Sequence, residues 1–251
     1  MTVRRAIVRE PGARYSECIS SHPLKATIDI ARAREQHAAY CRVLEDLGLE
    51  VIRLERDDHH PDSCFVEDNA VVFRDRALIT RMAKPSRRGE ECDVERVLGT
   101  YLRTRRAVPP ATVEGGDVIH LEERLISGLS QRTNEPGIAQ MREWLGAEVG
   151  VIADESMVHL KSHVNYIGEG TFVAVKRYAN HPQLRGAQVL VVPDEEAYAA
   201  NALAIGDAVL TPRGFPRTFE LLKGTGMRVI PLEMTEFPKC EGALTCLSIL
   251  F

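Results

Sequence analysis

One thiol, one imidazole and several carboxylates, far apart along the chain, are the residues whose types could together do chemistry. Cys246 sits in Leu244-Thr245-Cys246-Leu247-Ser248, after the turn signal Glu241-Gly242. The apolar run Ala243 to Phe251 around it predicts a strand. A cysteine attacks as thiolate, and a nearby cation lowers its pKa whereas burial raises it. The plain alternative is a buried structural thiol. His159, in His159-Leu160-Lys161-Ser162, is suited to proton transfer near neutral pH. His163 would share its face on a strand, so periodicity does not choose between the two. Phe65-Val66-Glu67-Asp68, with Asp62 just upstream, gathers three carboxylates that could hold a guanidinium or ammonium group. Glu114-Gly115-Gly116-Asp117 is a tight-turn signal whose glycines permit close approach of backbone to a ligand. This set suggests a cysteine nucleophile acting on a cationic substrate.

Other segments are less promising. Gly128-Leu129-Ser130 begins like a nucleophile elbow but lacks the second glycine. Arg81 and Arg132 are of a type that binds carboxylates bidentately. Asp57-Asp58-His59-His60 reads as a solvated loop in preference to a metal site. There is no Walker or dinucleotide fingerprint, and the six cysteines form no C-x-x-C pair. A net charge of −4 gives no global attraction to nucleic acid or an anionic membrane. The start of the chain shows no apolar leader, and no run reaches the roughly 18 apolar residues of a membrane span. Reduced thiols in the cytoplasm are the expectation.

The elements that must position these residues repeat. Each chemical segment leads into a short strand, a polar turn and a second strand: Ala70–Phe73 with Ala77–Thr80, Val118–Leu121 with Leu125-Ile126, Val164–Ile167 with Thr171–Val175, and Ala202–Ile205 with Ala208–Leu210. The units recur at a spacing of roughly 40 to 50 residues. Cys246 opens a fifth, which lacks a second strand; Arg5–Val8 could supply it and close a ring. Helical spacing appears over Ile28–Leu47, around Val94–Tyr101, over Ile138–Leu145 and over Phe215–Leu222. Strands at Val51–Leu54, Val149–Ile152, Val189–Val192 and Val229-Ile230 complete ββαβ units, and no linker divides residues 1–251, so one domain is expected.

In this order the motifs resemble the dimethylarginine dimethylaminohydrolases of the guanidino-group-modifying superfamily. The matching pieces are Pro61 to Asp68, Leu78-Ile79-Thr80-Arg81, Pro85-Ser86-Arg87-Arg88, Glu114 to Val118, Gly128 to Asn134, His159 to Ser162 and Leu244-Thr245-Cys246. The resemblance implies an α/β pseudo-five-fold αβ-propeller with no cofactor or metal. It implies Cys246 as nucleophile, His159 as proton donor and Glu114 as the residue orienting His159. Glu67 and Asp68 would bind the guanidinium. Asp62 and the backbone near Ile19 and Cys240 would hold the α-amino group, with Arg81 and Arg132 on the α-carboxylate. The implied partner is a small methylated arginine, with room for a homodimer. Glu241 departs from the usual family Asp by one methylene and puts substrate range in question. Two rival readings are an arginine deiminase-like hydrolase, disfavoured by Lys161 in place of the Asp of a His-x-Asp motif, and an inactive protein that binds arginine-like ligands.

Overall fold

A computed structural model describes residues 3–251. The chain folds as mixed α/β with five three-stranded sheets. Strand β1 (Arg5–Val8) is followed by α1 (Ile30–Asp46) and β2 (Glu50–Arg53). The second unit is β3 (Ala70–Phe73), β4 (Arg76–Ile79), α2 (Glu91–Leu98) and β5 (Arg103–Arg106). The third is β6 (Val118–His120), β7 (Arg124–Leu129), α3 (Glu135–Leu145) and β8 (Glu148–Ala153). The fourth is β9 (Val164–Gly168), β10 (Thr171–Val175) and β11 (Gln188–Val192). The fifth is β12 (Leu203–Ile205), β13 (Ala208–Pro212), α4 (Pro216–Lys223) and β14 (Arg228–Leu232), and the chain ends in β15 (Ile249–Leu250).

In each of the last four units the first two strands pair antiparallel, and the second pairs parallel with the third after a crossover. The remaining sheet joins the two ends of the chain: β15 pairs antiparallel with β1, Ala6 opposite Leu250 and Ile7 opposite Ile249, while β1 pairs parallel with β2. The unit opened by Cys246 thus takes its second strand, β1, from the N-terminal segment, as the sequence suggested. The inner strands β3, β6, β9, β12 and β15 all line one cavity of about 640 Å³.

Local chemistry explains the helices. Asp29 caps α1 by accepting from Arg32 N, and Ala33, His37, Tyr40, Cys41 and Leu44 form its buried stripe. Asn134 caps α3 through Gly137 N, and Gly146 ends it in the left-handed region, φ 62°. Proline opens α4 at its first turn, where no amide donor is lost.

Three expectations need correction. The fourth unit has no α-helix; its crossover runs through 3-10 turns at Lys176–Tyr178 and Pro182–Leu184, where proline and glycine cut the path short. Cys246 is not in a strand. It lies in the 3-10 turn Thr245–Leu247, and only Ile249–Leu250 pairs. The run is apolar because Ala243 to Thr245 and Leu247 to Ile249 are buried by neighbouring units, and that burial carries no strand periodicity. Finally, not every thiol is free. Cys18 and Cys240, 222 residues apart, form a disulfide, and Cys41, Cys64, Cys92 and Cys246 are free. Only the folded path of the loop after β1 brings the pair together.

Candidate active site

The chemical residues sit in, or immediately before, 3-10 turns that lead into the inner strands. Four such turns carry them: Val66–Asn69, Gly115–Asp117, Leu160–Ser162 and Thr245–Leu247. The turn with Cys246 packs on the turn with Glu67 and Asp68, which packs on Gly115–Asp117, which packs on the turn after His159. Residues as far apart in sequence as Glu67 and Thr245, separated by 178 positions, therefore meet at one end of the sheets.

His159 Nε2 lies 2.8 Å from Glu114 Oε2 and 3.7 Å from Asp68 Oδ1. Burial works against its cation, but Asp68, Glu114 and Asp117 outweigh burial and raise its pKa to about 9, above the ordinary imidazole value of about 6.5. The ring is protonated at neutral pH. Leu160 N donates to Asp117 Oδ1 at 3.0 Å, which fixes the backbone beside the ring. His163, the rival, packs instead against Tyr178 with ring centroids 5.4 Å apart.

Gly116 is what allows this closeness. Its N–H donates to Asp68 Oδ1 at 3.0 Å, and a Cβ there would stand 2.8 Å from that oxygen and 2.9 Å from the His159 ring. Gly116→Ala is expected to push the ring from Glu114 and lower kcat by about 10- to 100-fold with the fold kept. Steady-state kinetics beside circular dichroism checks this, and an unchanged kcat would mean the ring position is immaterial.

Around Cys246 runs a closed polar circuit. Thr245 N donates to Asn201 Oδ1 at 3.0 Å, and Thr245 Oγ1 donates to Glu67 Oε2 at 2.9 Å. Lys161 Nζ donates to Glu67 Oε1 at 2.6 Å, and Asn201 Nδ2 reaches the Lys161 carbonyl at 3.0 Å. Glu67 thus has both oxygens engaged within the protein. Cys246 itself is partly exposed. Burial, then Glu67 and Asp68, push its thiol up to about 12. At rest it is a thiol in a negative field, and a bound cation would shift it toward thiolate.

Asp68 Oδ2 accepts from Arg87 Nη1 at 2.8 Å, and Arg87 also binds Glu90 and lies 3.9 Å from Glu114. Burial opposes the Asp68 charge, yet His159 and Arg87 hold its carboxyl below the usual range. Asp62 is buried and accepts from Ile19 N at 3.1 and 3.2 Å. Arg132 is buried, its Nη1 lies 3.8 Å from Glu114 Oε1, and neither its Nε nor its Nη1 has a hydrogen-bond partner. Arg81 donates to the Ala111 carbonyl at 3.1 Å and bridges to Val113, next to Glu114. Cys240 ends the turn Pro238–Cys240, and Glu241 follows in the left-handed region, φ 57°. The Glu241 carboxylate is exposed and binds Ser21 N at 2.7 Å and Ser21 Oγ at 2.8 Å.

Asp68, Glu114 and His159 offer ligand atoms within 4.8 Å of one another. A divalent ion there would displace the proton implied by the 2.8 Å His159–Glu114 contact and would face the Arg87 cation. The donor set favours a proton over a metal.

The family model described as N,N dimethylarginine dimethylhydrolase, eukaryotic, matches residues 8–192. An N(G),N(G)-dimethylarginine dimethylaminohydrolase of Pseudomonas aeruginosa is 33% identical over 99% of this chain and 99% of its own. The chain belongs to the dimethylarginine dimethylaminohydrolase family. A second such enzyme, from Streptomyces coelicolor, is 36% identical over 99% of this chain and 97% of its own. The solved Pseudomonas aeruginosa dimethylarginine dimethylaminohydrolase, a cysteine-to-serine mutant complexed with citrulline, superposes with TM-score 0.97 at 32% identity, covering both chains fully.

Within this dimethylarginine dimethylaminohydrolase fold, sequence reasoning overlooked Arg87, Lys161, Asn201, Thr245 and Asp117 as structural partners of the site. Arg87 and Lys161 stood inside matching motifs, but a charge in a motif does not announce its burial. Asn201 held a clearer signal, since it precedes β12 much as Asp68 precedes β3.

Proposed function

We propose that this protein hydrolyses Nω-methylated arginines to citrulline, releasing dimethylamine or methylamine through a covalent Cys246 intermediate. The observation that carries the reading is a protonated His159 held by Glu114, with Asp68 acting on both that ring and the partly exposed thiol of Cys246. The substrate guanidinium is held by Glu67 and Asp68, whose oxygens are positioned within the protein by Lys161 and Thr245 and by Gly116 N and Arg87 respectively. The unpartnered Nε and Nη1 of Arg132 suit an α-carboxylate, and Arg81 lies beside the same strand end. Asp62, Ile19 N and the Cys240 backbone receive the α-amino group. Glu241 acts on the loop through Ser20 and Ser21.

The steps follow from charge. The guanidinium lowers the Cys246 pKa as it binds, the thiol loses its proton to solvent, and the thiolate attacks the central carbon. The C–N bond to the methylated nitrogen breaks as His159 gives that nitrogen a proton. Water, deprotonated by the now neutral His159, attacks the thiouronium carbon; the C–S bond breaks and citrulline leaves. His159 should titrate near pH 9 by NMR in the free enzyme, and Glu114→Gln, which removes a raising carboxylate, should lower that value. Titration at or below the ordinary value would deny the proton-donor role.

Residues 1–251 act as one catalytic domain in this reading, because groups from all its units converge. The shared cavity between inner strands and the β1–β15 pairing support a closed five-bladed propeller. Among the described residues no helix is long and apolar enough to cross a membrane. A homodimer is compatible with this reading. The deciding test is citrulline formation from arginine, monomethylarginine and asymmetric dimethylarginine. Turnover of the methylated substrates above arginine supports the reading. Preference for arginine would favour a deiminase, and binding without product would favour an inactive binder.

A further inference from the structure

Residues Tyr15–Ser21 lie against the turn Pro238–Glu241, and the two segments meet at the corner where the proposed function puts the substrate amino group. Ile19 N donates to both Asp62 oxygens. Ser20 Oγ donates to the Lys239 carbonyl at 2.8 Å, and Ser21 N and Oγ donate to Glu241. The Ser20 and Ser21 hydrogen bonds are exposed or half-buried, so each contributes little against water. The Cys18–Cys240 disulfide is the one covalent link between the segments. Its Cα atoms are 5.9 Å apart and both residues are buried. Cys18 immediately precedes Ile19, and Cys240 belongs to the turn that leads to Cys246.

We propose that Cys18–Cys240 is a redox latch on the amino-group subsite, a reading that rests on the proposed function. In the oxidised state the bridge holds the Ile19 amide and the Cys240 backbone at fixed separation around Asp62. A dithiol reductant opens it: one thiolate attacks a bridge sulfur, the S–S bond breaks, and a mixed disulfide forms. The second thiolate of the reductant resolves that bond. Two electrons pass to the protein, leaving two thiols, and the reductant leaves as its disulfide. The freed loop stays anchored at Tyr15, which packs on Phe65 and Phe237, but residues 19–21 are then held to their neighbours by polar contacts, so the amino-group subsite loses preorganisation and substrate affinity falls. The carboxylates, His159 and the turn of Cys246 are held by separate buried hydrogen bonds and keep their geometry. The effect is therefore expected in KM and not in kcat.

The test compares enzyme equilibrated with oxidised and with reduced dithiothreitol under anaerobic conditions. Alkylation and mass analysis read the state of Cys18 and Cys240, hydrogen exchange reads residues 15–21, and kinetics with asymmetric dimethylarginine reads the site. Reduction should raise KM by about 10-fold with kcat changed by less than about twofold, and exchange in the loop should quicken. Cys18→Ser should show the raised KM in both conditions and no response to reductant. An unchanged KM after proven reduction would make the bridge a mere staple and overturn the latch, as would free thiols at both positions in the oxidised sample. Loop exchange that responds to reductant in an enzyme with no turnover would uphold the mechanical part of the latch and count against the proposed function alone.

Discussion

Cys246→Ser is expected to lower citrulline formation by at least about 10⁴-fold, the scale seen when an enzyme nucleophile is removed, while folding and ligand binding persist. The serine hydroxyl is close to the thiol in size, and the turn Thr245–Leu247 is held by Asn201 and Glu67, not by the sulfur. Those contacts stay when oxygen replaces sulfur. What goes is a nucleophile that a bound cation can ionise. A hydroxyl ionises far above a thiol, so the field that brings Cys246 within reach of thiolate leaves serine protonated. Circular dichroism, substrate binding by calorimetry and citrulline release from the same preparation separate the effects. Turnover near wild type would remove Cys246 from the reaction.

Arg87→Met should cost stability and activity together. Arg87 is buried, binds Asp68 and Glu90 at 2.8 Å each, and stands 3.9 Å from Glu114. Burial alone would lower its pKa, but Glu90, Asp68 and Glu114 raise it well above the ordinary value, so it is charged throughout. Methionine fills much of the space and supplies no charge. Three carboxylates would then share a dry region with His159 and Arg132 as their remaining cations. Removing one partner of a buried ion pair costs about 3–5 kcal/mol. Asp68, now held down by His159 with less help, would rise in pKa and bind a guanidinium less well. Chemical denaturation and KM should both respond. A variant as stable as the parent would show that the Arg87 cluster is not the buried network described above. The outcome should also depend on pH: protonating the carboxylates relieves their repulsion, so the stability deficit should shrink as pH falls.

Much of this architecture was legible because it repeats. Alternation of short apolar strands with polar turns, and helical stripes ended by glycine, marked the hairpins and α1 to α4 with small errors at their ends. Tyr101 was read into α2 but lies beyond it, beside Phe251 with ring centroids 5.5 Å apart. Cys246 was misplaced in a strand because deep burial makes a turn look as apolar as a strand. The Cys18–Cys240 pair was hidden by its 222-residue separation. His159 could not be told from His163 by spacing; the choice is made by Glu114 and Asp68, which arrive from other units. Arg87 and Lys161 were opaque for a related reason. Their charges read as solvated until five units meet and close water out.

The most direct test of the account is to quench the enzyme in acid during turnover of asymmetric dimethylarginine and map the protein by peptide mass. The account predicts an arginine-derived adduct, lacking dimethylamine, on the peptide that contains Cys246, and its loss in Cys246→Ser. Active turnover with no adduct on Cys246, or an adduct on a different residue, would contradict it.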